Sequence, residues 1–223
     1  GEDSHLVAFR AGPRVGDALE LDGLFIGNMD QGTNSFLGTF GAHARGKVGA
    51  FAWEAEGYGQ VVRIPGDTYG AFMFGLRGGA NLGGGHHVGG GFDLLSGTND
   101  DGSVQVFDTL FATNHKFYGN FDAYVVLPKH TAGQGLIDGM VNTRFALHEK
   151  VGLGFDAHVF ASADAPEDAD AFHGVEFDTN VKITPVAPLT LATGVWVYVP
   201  GGFWGEDLTP SLGAYFMTDF QFK

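Results

Sequence analysis

Charged side chains recur at every second position in several segments of this chain, an arrangement that could line a polar channel. Between residues 50 and 63, Glu54 and Glu56 alternate with Phe51, Trp53 and Ala55. A β-strand directs successive side chains to opposite faces, so one face of this segment is charged and the other apolar. Rings of charge on the inner face of a closed sheet control which ions pass. The predicted pore-lining residues are Arg10, Arg45, Lys47, Glu54, Glu56, Arg77, Asp93, Asp122, Asp138, Arg144, Asp156, Glu176, Asp178, Lys182 and Asp219.

Acids outnumber bases on this polar side, which also carries Glu20 and Asp22. An open pore of this composition is predicted to favour cations or neutral sugars over polyanions. The alternative is that these charges pair across neighbouring strands and only stiffen the sheet. A local group of bases could also override the average charge, and Arg45, Lys47, Arg77 and Arg144 are the candidates.

One polar turn offers oxygen ligands for a cation. Asn99, Asp100 and Asp101 precede Gly102 and Ser103, and carboxylate and amide oxygens suit Ca²⁺. The spacing is not that of a twelve-residue EF-hand loop, and turns favour Asn, Asp and Gly without any metal. Calcium is therefore the one candidate cofactor, with an ordinary turn as the alternative.

Histidines offer the other candidate chemistry. His86 and His87 could bind a transition metal, but neighbouring strand residues point to opposite faces, which favours a polar turn. His158 shares a face with Asp156, but no serine lies at a nearby strand position to complete a hydrolytic triad. The chain is therefore predicted not to be an enzyme.

The elements that must position these side chains are strands of about ten residues separated by Gly, Asp, Asn or Pro. Their apolar sides are predicted to face lipid, as at Phe40, Leu76, Phe92, Phe155, Val195 and Phe216. Alternation predicts twelve strands, with an uncertainty of one or two: 5–12, 18–28, 35–47, 50–63, 68–79, 86–96, 117–126, 136–148, 151–161, 172–183, 189–199 and 210–222. Short and long connections alternate along the chain, but this alternation loses its phase between Ser96 and Lys116.

Composition limits the classes of function. The 223 residues are 44% hydrophobic and 17% charged, with a net charge of −14, which argues against nucleic-acid binding. No apolar run approaches the ~20 residues of a membrane helix, so a β-barrel is the remaining way to span a bilayer. Cysteine is absent, which excludes disulfides and thiolate metal sites. No signal peptide begins at Gly1, so we expect a mature form or a fragment.

One stretch resembles the signature of the alginate-export porin family. A strand ending in Ser96-Gly97 is followed by His115-Lys116-Phe117-Tyr118-Gly119 and then Asp122. Weaker matches occur at residues 46–57, 135–138 and 199–202, and together they span about Leu19 to Lys223. The closing Phe220-Gln221-Phe222 resembles the terminal aromatic signal of outer-membrane proteins, although Lys223 follows it.

The resemblance implies a single-chain outer-membrane barrel of a Gram-negative bacterium that exports polyanionic polysaccharide or passes other small solutes. Family members are typically longer, so the chain is similar to a C-terminal part or a shortened relative.

We therefore predict one all-β domain over residues 1–223, a transmembrane antiparallel β-barrel for passive passage of small polar or charged solutes or saccharides. Its predicted partners are the lipid bilayer and these solutes. The alternatives are a structural barrel with a blocked lumen, a polyanion exporter, and a soluble all-β sandwich or carbohydrate-binding protein with a packed apolar interior.

Overall fold

The computed structural model describes residues 3–15, 19–110, 112, 114, 117–186 and 188–220, most of them in β-strands. The strands are β1 (Ser4–Ala11), β2 (Arg14–Val15), β3 (Leu19–Asp30), β4 (Ser35–Val48), β5 (Phe51–Ile64), β6 (Asp67–Gly83), β7 (His86–Leu95), β8 (Leu136–His148), β9 (Val151–Ala161), β10 (Phe172–Val186), β11 (Leu189–Pro200) and β12 (Ser211–Phe220). A four-residue helix, α1 (Leu127–His130), and a 3₁₀ turn, Gly202–Trp204, complete them. Neither described helix has the length and hydropathy to cross a membrane.

The strands form one antiparallel sheet in which sequence neighbours are spatial neighbours. Its order is β1-β3-β4-β5-β6-β7-β8-β9-β10-β11-β12, and the short β2 pairs only with β3. The prediction of an all-β antiparallel sheet is confirmed, with eleven strands along its path.

The predicted strand at 117–126 is wrong. Its residues form turns that lead into α1, and Asp122 has a φ of 62° that no strand residue adopts. The other predicted segments correspond to strands, although residues 18, 221 and 222 of two of them lie outside the described residues. Without a strand at 117–126, the connection from β7 to β8 lies at the same end of the sheet as the connection from β9 to β10, so the alternation of short and long connections continues through Ser96 to Lys116.

Long loops occur at one end of the sheet, which also carries the short β3–β4 and β5–β6 turns. Two residues join β4 to β5, β6 to β7 and β8 to β9, and Gly49 has the positive φ of 60° that such tight turns require. At the opposite end, β7 and β8 are joined by residues 96–135, and β9 and β10 by residues 162–171.

One face of the sheet is an exposed apolar surface that crosses strand after strand. Directly paired residues share a face, so the strand pairing can be followed as a row from β3 to β11. This row consists of Leu21, Ala44, Ala55, Leu76, Phe92, Gly139, Val159, Val175 and Val199. The six positions predicted to face lipid are all exposed on this face, by between 41% at Phe92 and 71% at Phe216.

The long connection at residues 96–135, here called the inner segment, packs against the opposite face. Phe107, Tyr118, Tyr124 and Leu127 of this segment form a buried core with residues of the sheet such as Phe160. The segment contacts β5 through Gln60 and β11 through Trp196, which are distant strands in the sheet order. The sheet therefore curves around the inner segment.

The two outermost strands have neighbours on one side only. Among the described residues, β1 pairs only with β3 and β12 only with β11. Both edges carry strongly exposed apolar side chains, including Phe9 at 67% and Leu212 at 75%. Because eleven alternating strands form the path, β1 and β12 run in the same direction.

Candidate functional site in the polar interior

The concave face of the sheet is as polar as the convex face is apolar. The pairing places one interior row across ten strands: Glu20, Arg45, Glu54, Arg77, Gly91, Met140, His158, Glu176, Tyr198 and Ser211. Every predicted pore-lining residue except Asp122 lies on a strand with its side chain on this interior face. Asp122 instead belongs to the inner segment.

Arg77 is the centre of a charged cluster on β5, β6 and β7. Its guanidinium forms an ion pair with Asp93, lies 3.1 Å from Glu56 and 3.7 Å from Glu54. The ring of Phe117, from the inner segment, lies 5.2 Å from the guanidinium carbon. Arg77 is therefore surrounded by acids and is not a free cation for an anionic solute.

The other interior arginines also have acidic partners on the adjacent strand. Arg10 lies 3.0 Å from Asp22, and Arg45 donates from Nε to Glu20 at 2.7 Å. Arg144 forms a two-point contact with Asp156 at 2.8 and 3.0 Å. With the Arg77 cluster, this pairing neutralises three of the four bases that could form a basic constriction, Arg45, Arg77 and Arg144. It is also the arrangement expected of a sheet stiffened by cross-strand charges.

A second polar cluster is buried further along the row. The imidazole of His158 lies 3.0 Å from the carboxylate of Asp138, and both side chains are at most 6% exposed. Asp138 is directly opposite Asp93 in the pairing of β7 and β8. The sequence placed Asp156 on the same face as His158, but Asp156 binds Arg144 of the adjacent strand.

Glu176 anchors the inner segment to β10. Its Oε1 accepts a hydrogen bond from the backbone N–H of Phe121 at 2.7 Å, and its side chain is fully buried. Gly119, with a φ of 79°, packs directly against this carboxylate, where a Cβ atom would collide with it. Glu176 therefore holds the inner segment against β10. The sequence predicts it only as a pore-lining residue.

A hydrogen-bond network fixes the same segment at the long-loop end. The hydroxyl of Tyr124 lies 3.0 Å from Nδ1 of His173, and Nε2 of His173 lies 2.8 Å from Oγ of Ser162. Burial raises the pKa of the Tyr124 hydroxyl far above its ordinary value, so this group stays protonated. Ser162 donates its own hydrogen to Gln134 at 2.6 Å. Because the serine hydrogen is directed away from the imidazole, this pair suits anchoring rather than nucleophilic attack.

Cavities lie inside the sheet around the inner segment, and two of them adjoin Arg77. One, of about 410 Å³, lies toward the short-turn end and is lined by polar groups including Glu20, Arg45, Lys47, Glu54 and Asn142. The other, of about 320 Å³, lies between the inner segment and strands β3 to β6 and has Tyr58, Met73 and Phe107 in its wall. Arg77 lines both cavities.

The candidate calcium turn is held by its own hydrogen bonds. Asn99 Oδ1 accepts from the N–H of Val104 at 2.9 Å, and Asp101 Oδ1 accepts from the N–H of Ser103 at 2.8 Å. The bonds from Ser103 lower the pKa of the Asp101 carboxyl. Asp100 lines a separate surface cleft with Asp164. Within the described ranges, no three His, Cys, Asp or Glu side chains are grouped as a metal site, and calcium stays a prediction.

His86 and His87 lie at the start of β7 on opposite faces. His86 packs against the outward ring of Phe145, with ring centres 5.9 Å apart, whereas His87 lies 3.3 Å from Asn81 on the interior side. The expectation that adjacent strand histidines diverge is confirmed.

Sequence reasoning missed the inner segment and the residues that anchor it. Two signals were present: Pro128 interrupts any strand after Leu127, and Gly119, Asn120 and Asp122 are turn formers inside the predicted strand.

Comparison with protein-family models finds no match to this chain, and comparison with curated proteins finds no significant one. The similarity to alginate-export porins thus remains a resemblance of motifs. Part of its main motif, at residues 111, 113, 115 and 116, lies outside the described residues, as do the closing residues 221–223.

Proposed function

We propose that this chain is a bacterial outer-membrane β-barrel of the porin type, through which small polar or charged solutes pass without chemical change. The observation that carries the proposal is the two-sided sheet, with an exposed apolar row over nine strands outside and a charged row inside. Outer-membrane barrels have this alternation, together with short turns at one end and long loops at the other.

The placement of the apolar face argues against a soluble sandwich. A sandwich buries its apolar faces against each other, with polar side chains outside. Here Phe40, Phe155 and Phe216 are exposed, whereas Asp138, His158 and Glu176 are buried within the curve of the sheet. A surface of this apolar extent needs lipid or another covering.

The inner segment favours a second candidate function, a structural barrel with a blocked lumen. Its buried side chains fill one end of the interior, and the interior arginines are paired with acids. Under the porin proposal, the inner segment narrows the channel, and solutes pass through the two cavities that Arg77 lines.

Conductance in planar lipid bilayers separates the two candidates. The porin proposal predicts discrete, reproducible current steps from the purified, refolded chain, smaller than those of a wide porin because the inner segment occupies the lumen. A chain that inserts in folded form but conducts no current would be a structural barrel.

Closure of the sheet can be tested with paired cysteines, because the chain has none of its own. An unpaired strand edge in lipid leaves backbone groups without partners, so we expect β1 and β12 to meet side by side in the membrane. Phe9→Cys should be combined in turn with Ala214→Cys, Phe216→Cys and Thr218→Cys. Oxidation in lipid should cross-link one or two of these pairs, visible as a mobility shift that a reducing agent reverses.

The control pair for this experiment is Phe9→Cys with Val141→Cys, which lies on the outward face of the distant strand β8. This pair should not cross-link within one molecule. If all three seam pairs also stay reduced while the chain is folded in lipid, the single-chain closed barrel is wrong.

Ion selectivity tests what the interior prefers. Acids outnumber bases on the interior face, so an open pore should favour cations. Glu54 is the sharpest position to change because it lines the larger interior cavity and is 42% exposed. Glu54→Gln with Glu56→Gln should move the reversal potential in a salt gradient toward anions, and the shift should shrink at high salt.

The matched control for selectivity is Glu149→Gln, which removes one acid from an exposed short turn. It should leave the reversal potential nearly unchanged. A wild-type pore that is already selective for anions would contradict the cation prediction and favour the polyanion exporter.

A further inference from the structure

A cleft of about 720 Å³ lies at the long-loop end of the sheet, away from the Arg77 cluster. It is formed by the inner segment with α1, the end of β11, the loop at residues 201–210 and the first residue of β12. Its wall is largely aromatic and aliphatic, with Phe121, Tyr198, Phe203, Trp204 and Leu208 among its members. The volume falls in the range of about 300–1,000 Å³ that is typical of small-molecule sites.

Among the described residues, the one charged side chain that lines this cleft is the cation Lys129. Lys129 and His130 of α1 line it, and none of its lining residues is acidic. In a chain with a net charge of −14, a cleft with basic groups alone is complementary to an anion. His130 Nδ1 accepts a hydrogen bond from the N–H of Val126 at 3.4 Å, so its other nitrogen, Nε2, can donate to a ligand.

The cleft extends to the edge of the sheet. Leu208 is 51% exposed at its rim, and Ser211, the first residue of the edge strand β12, is part of its lining. The next residue along β12, Leu212, is the most exposed large apolar side chain of that strand. Ser211 and Leu212 point to opposite faces of β12, so an apolar chain on the outward face would reach the cleft around the end of this strand.

We propose that this cleft binds a free fatty acid, with the acyl chain among Phe121, Trp204 and Leu208 and the carboxylate at Lys129 and His130. A single acyl chain matches the apolar wall, and a carboxylate matches the one-sided charge. The site goes beyond the proposed passage of polar solutes and does not require an open pore.

The test uses the fluorescence of Trp204 and a fatty acid with bromine at its end. The chain has three tryptophans, at 53, 196 and 204, so Trp53→Phe with Trp196→Phe leaves Trp204 as the only emitter. Titration of this protein in micelles with 12-bromododecanoate should quench Trp204 in a saturable way, and unlabelled dodecanoate should reverse the quenching. A second protein that retains only Trp53, on the apolar outer face, reports simple partition into the micelle and should show no saturation.

The charge assignment is tested by Lys129→Ala, with Lys150→Ala as the control that removes an equal charge at the short-turn end. Lys129→Ala should weaken the binding of 12-bromododecanoate about tenfold, as expected for loss of a charge-assisted hydrogen bond. The same substitution should leave the affinity for 12-bromododecanol unchanged, because the alcohol lacks the carboxylate. Lys150→Ala should bind both probes as the parent does.

Three results would overturn the proposal. The first is quenching of Trp204 that does not saturate, like that of Trp53. The second is equal affinity of Lys129→Ala and its parent for 12-bromododecanoate. The third is saturable quenching by brominated phosphatidylglycerol only, which would assign the cleft to membrane lipid. Folding of each variant is followed separately by the gel mobility of unheated samples, so a failed barrel is distinguished from a failed site.

Discussion

Arginine in place of Val195 or Phe155 should destabilise the protein in lipid by about 2–4 kcal/mol, the cost of a cation near the middle of a bilayer on the lipid face of a barrel. Both residues lie near the middle of their strands, on the outward face, with 49% and 42% of their surface exposed. The free energy of unfolding from lipid vesicles in urea or guanidinium measures the effect.

Two adjacent residues of β8 provide a matched comparison. Val141 lies on the outward face and is 61% exposed, whereas Asn142 lies on the interior face directly opposite Asp156. Val141→Arg should carry the full penalty. Asn142→Arg should have a much smaller effect, because the same side chain at the same depth lies in a polar cavity that also has Glu20 and Glu54 in its wall. Equal effects at the two positions would show that the outward face does not contact lipid.

The two faces of the sheet could be predicted from the sequence because they depend on local information. A strand reverses its side-chain direction at every residue, so Phe40 and Phe155 could be assigned to the apolar side without knowledge of any neighbour. The tight turn at Gly49 is local in the same sense, since it depends on a residue that accepts a positive φ.

The inner segment could not be predicted in this way. Phe117, Gly119 and Phe121 alternate with other residue types as a strand would, and only distant partners remove them from the sheet. Those partners are Glu176, which binds the N–H of Phe121, and Tyr198, whose ring stacks on that of Phe121 at 4.6 Å. Contacts over more than fifty residues of sequence leave no periodic pattern.

The ion pairs between these charges could not be predicted from the local sequence either. Arg45 has Glu20 opposite it on β3 and Glu54 opposite it on β5, and it forms its hydrogen bonds with Glu20. The sequence identified these side chains as interior, but the register of three strands decides which of them are neutralised. The sign of the remaining interior charge therefore depends on tertiary structure.

If the chain is the porin proposed above, removal of the inner segment should increase its conductance severalfold, the largest functional effect we expect from any change in this chain. The segment can be excised cleanly because its two ends meet: the N–H of Thr98 donates to the carbonyl oxygen of Gly133 at 2.8 Å. Replacing residues 99–132 by a two-residue Asn-Gly turn would join these ends. Single-channel current in planar bilayers measures the result.

Two further variants separate a wider pore from a damaged one. Deletion of residues 165–169 shortens another loop at the same end, outside the buried core, and should leave conductance close to that of the parent. Phe107→Ala keeps the segment but removes a ring that is only 3% exposed, at a typical cost of about 3–5 kcal/mol for a buried aromatic residue. Its channels should switch between the parent current and the larger current of the excised protein, because a loosened segment leaves the lumen part of the time.

If excision yields a folded chain whose current equals that of the parent, the inner segment does not constrict the path. The solute route would then have to lie elsewhere than beside Arg77.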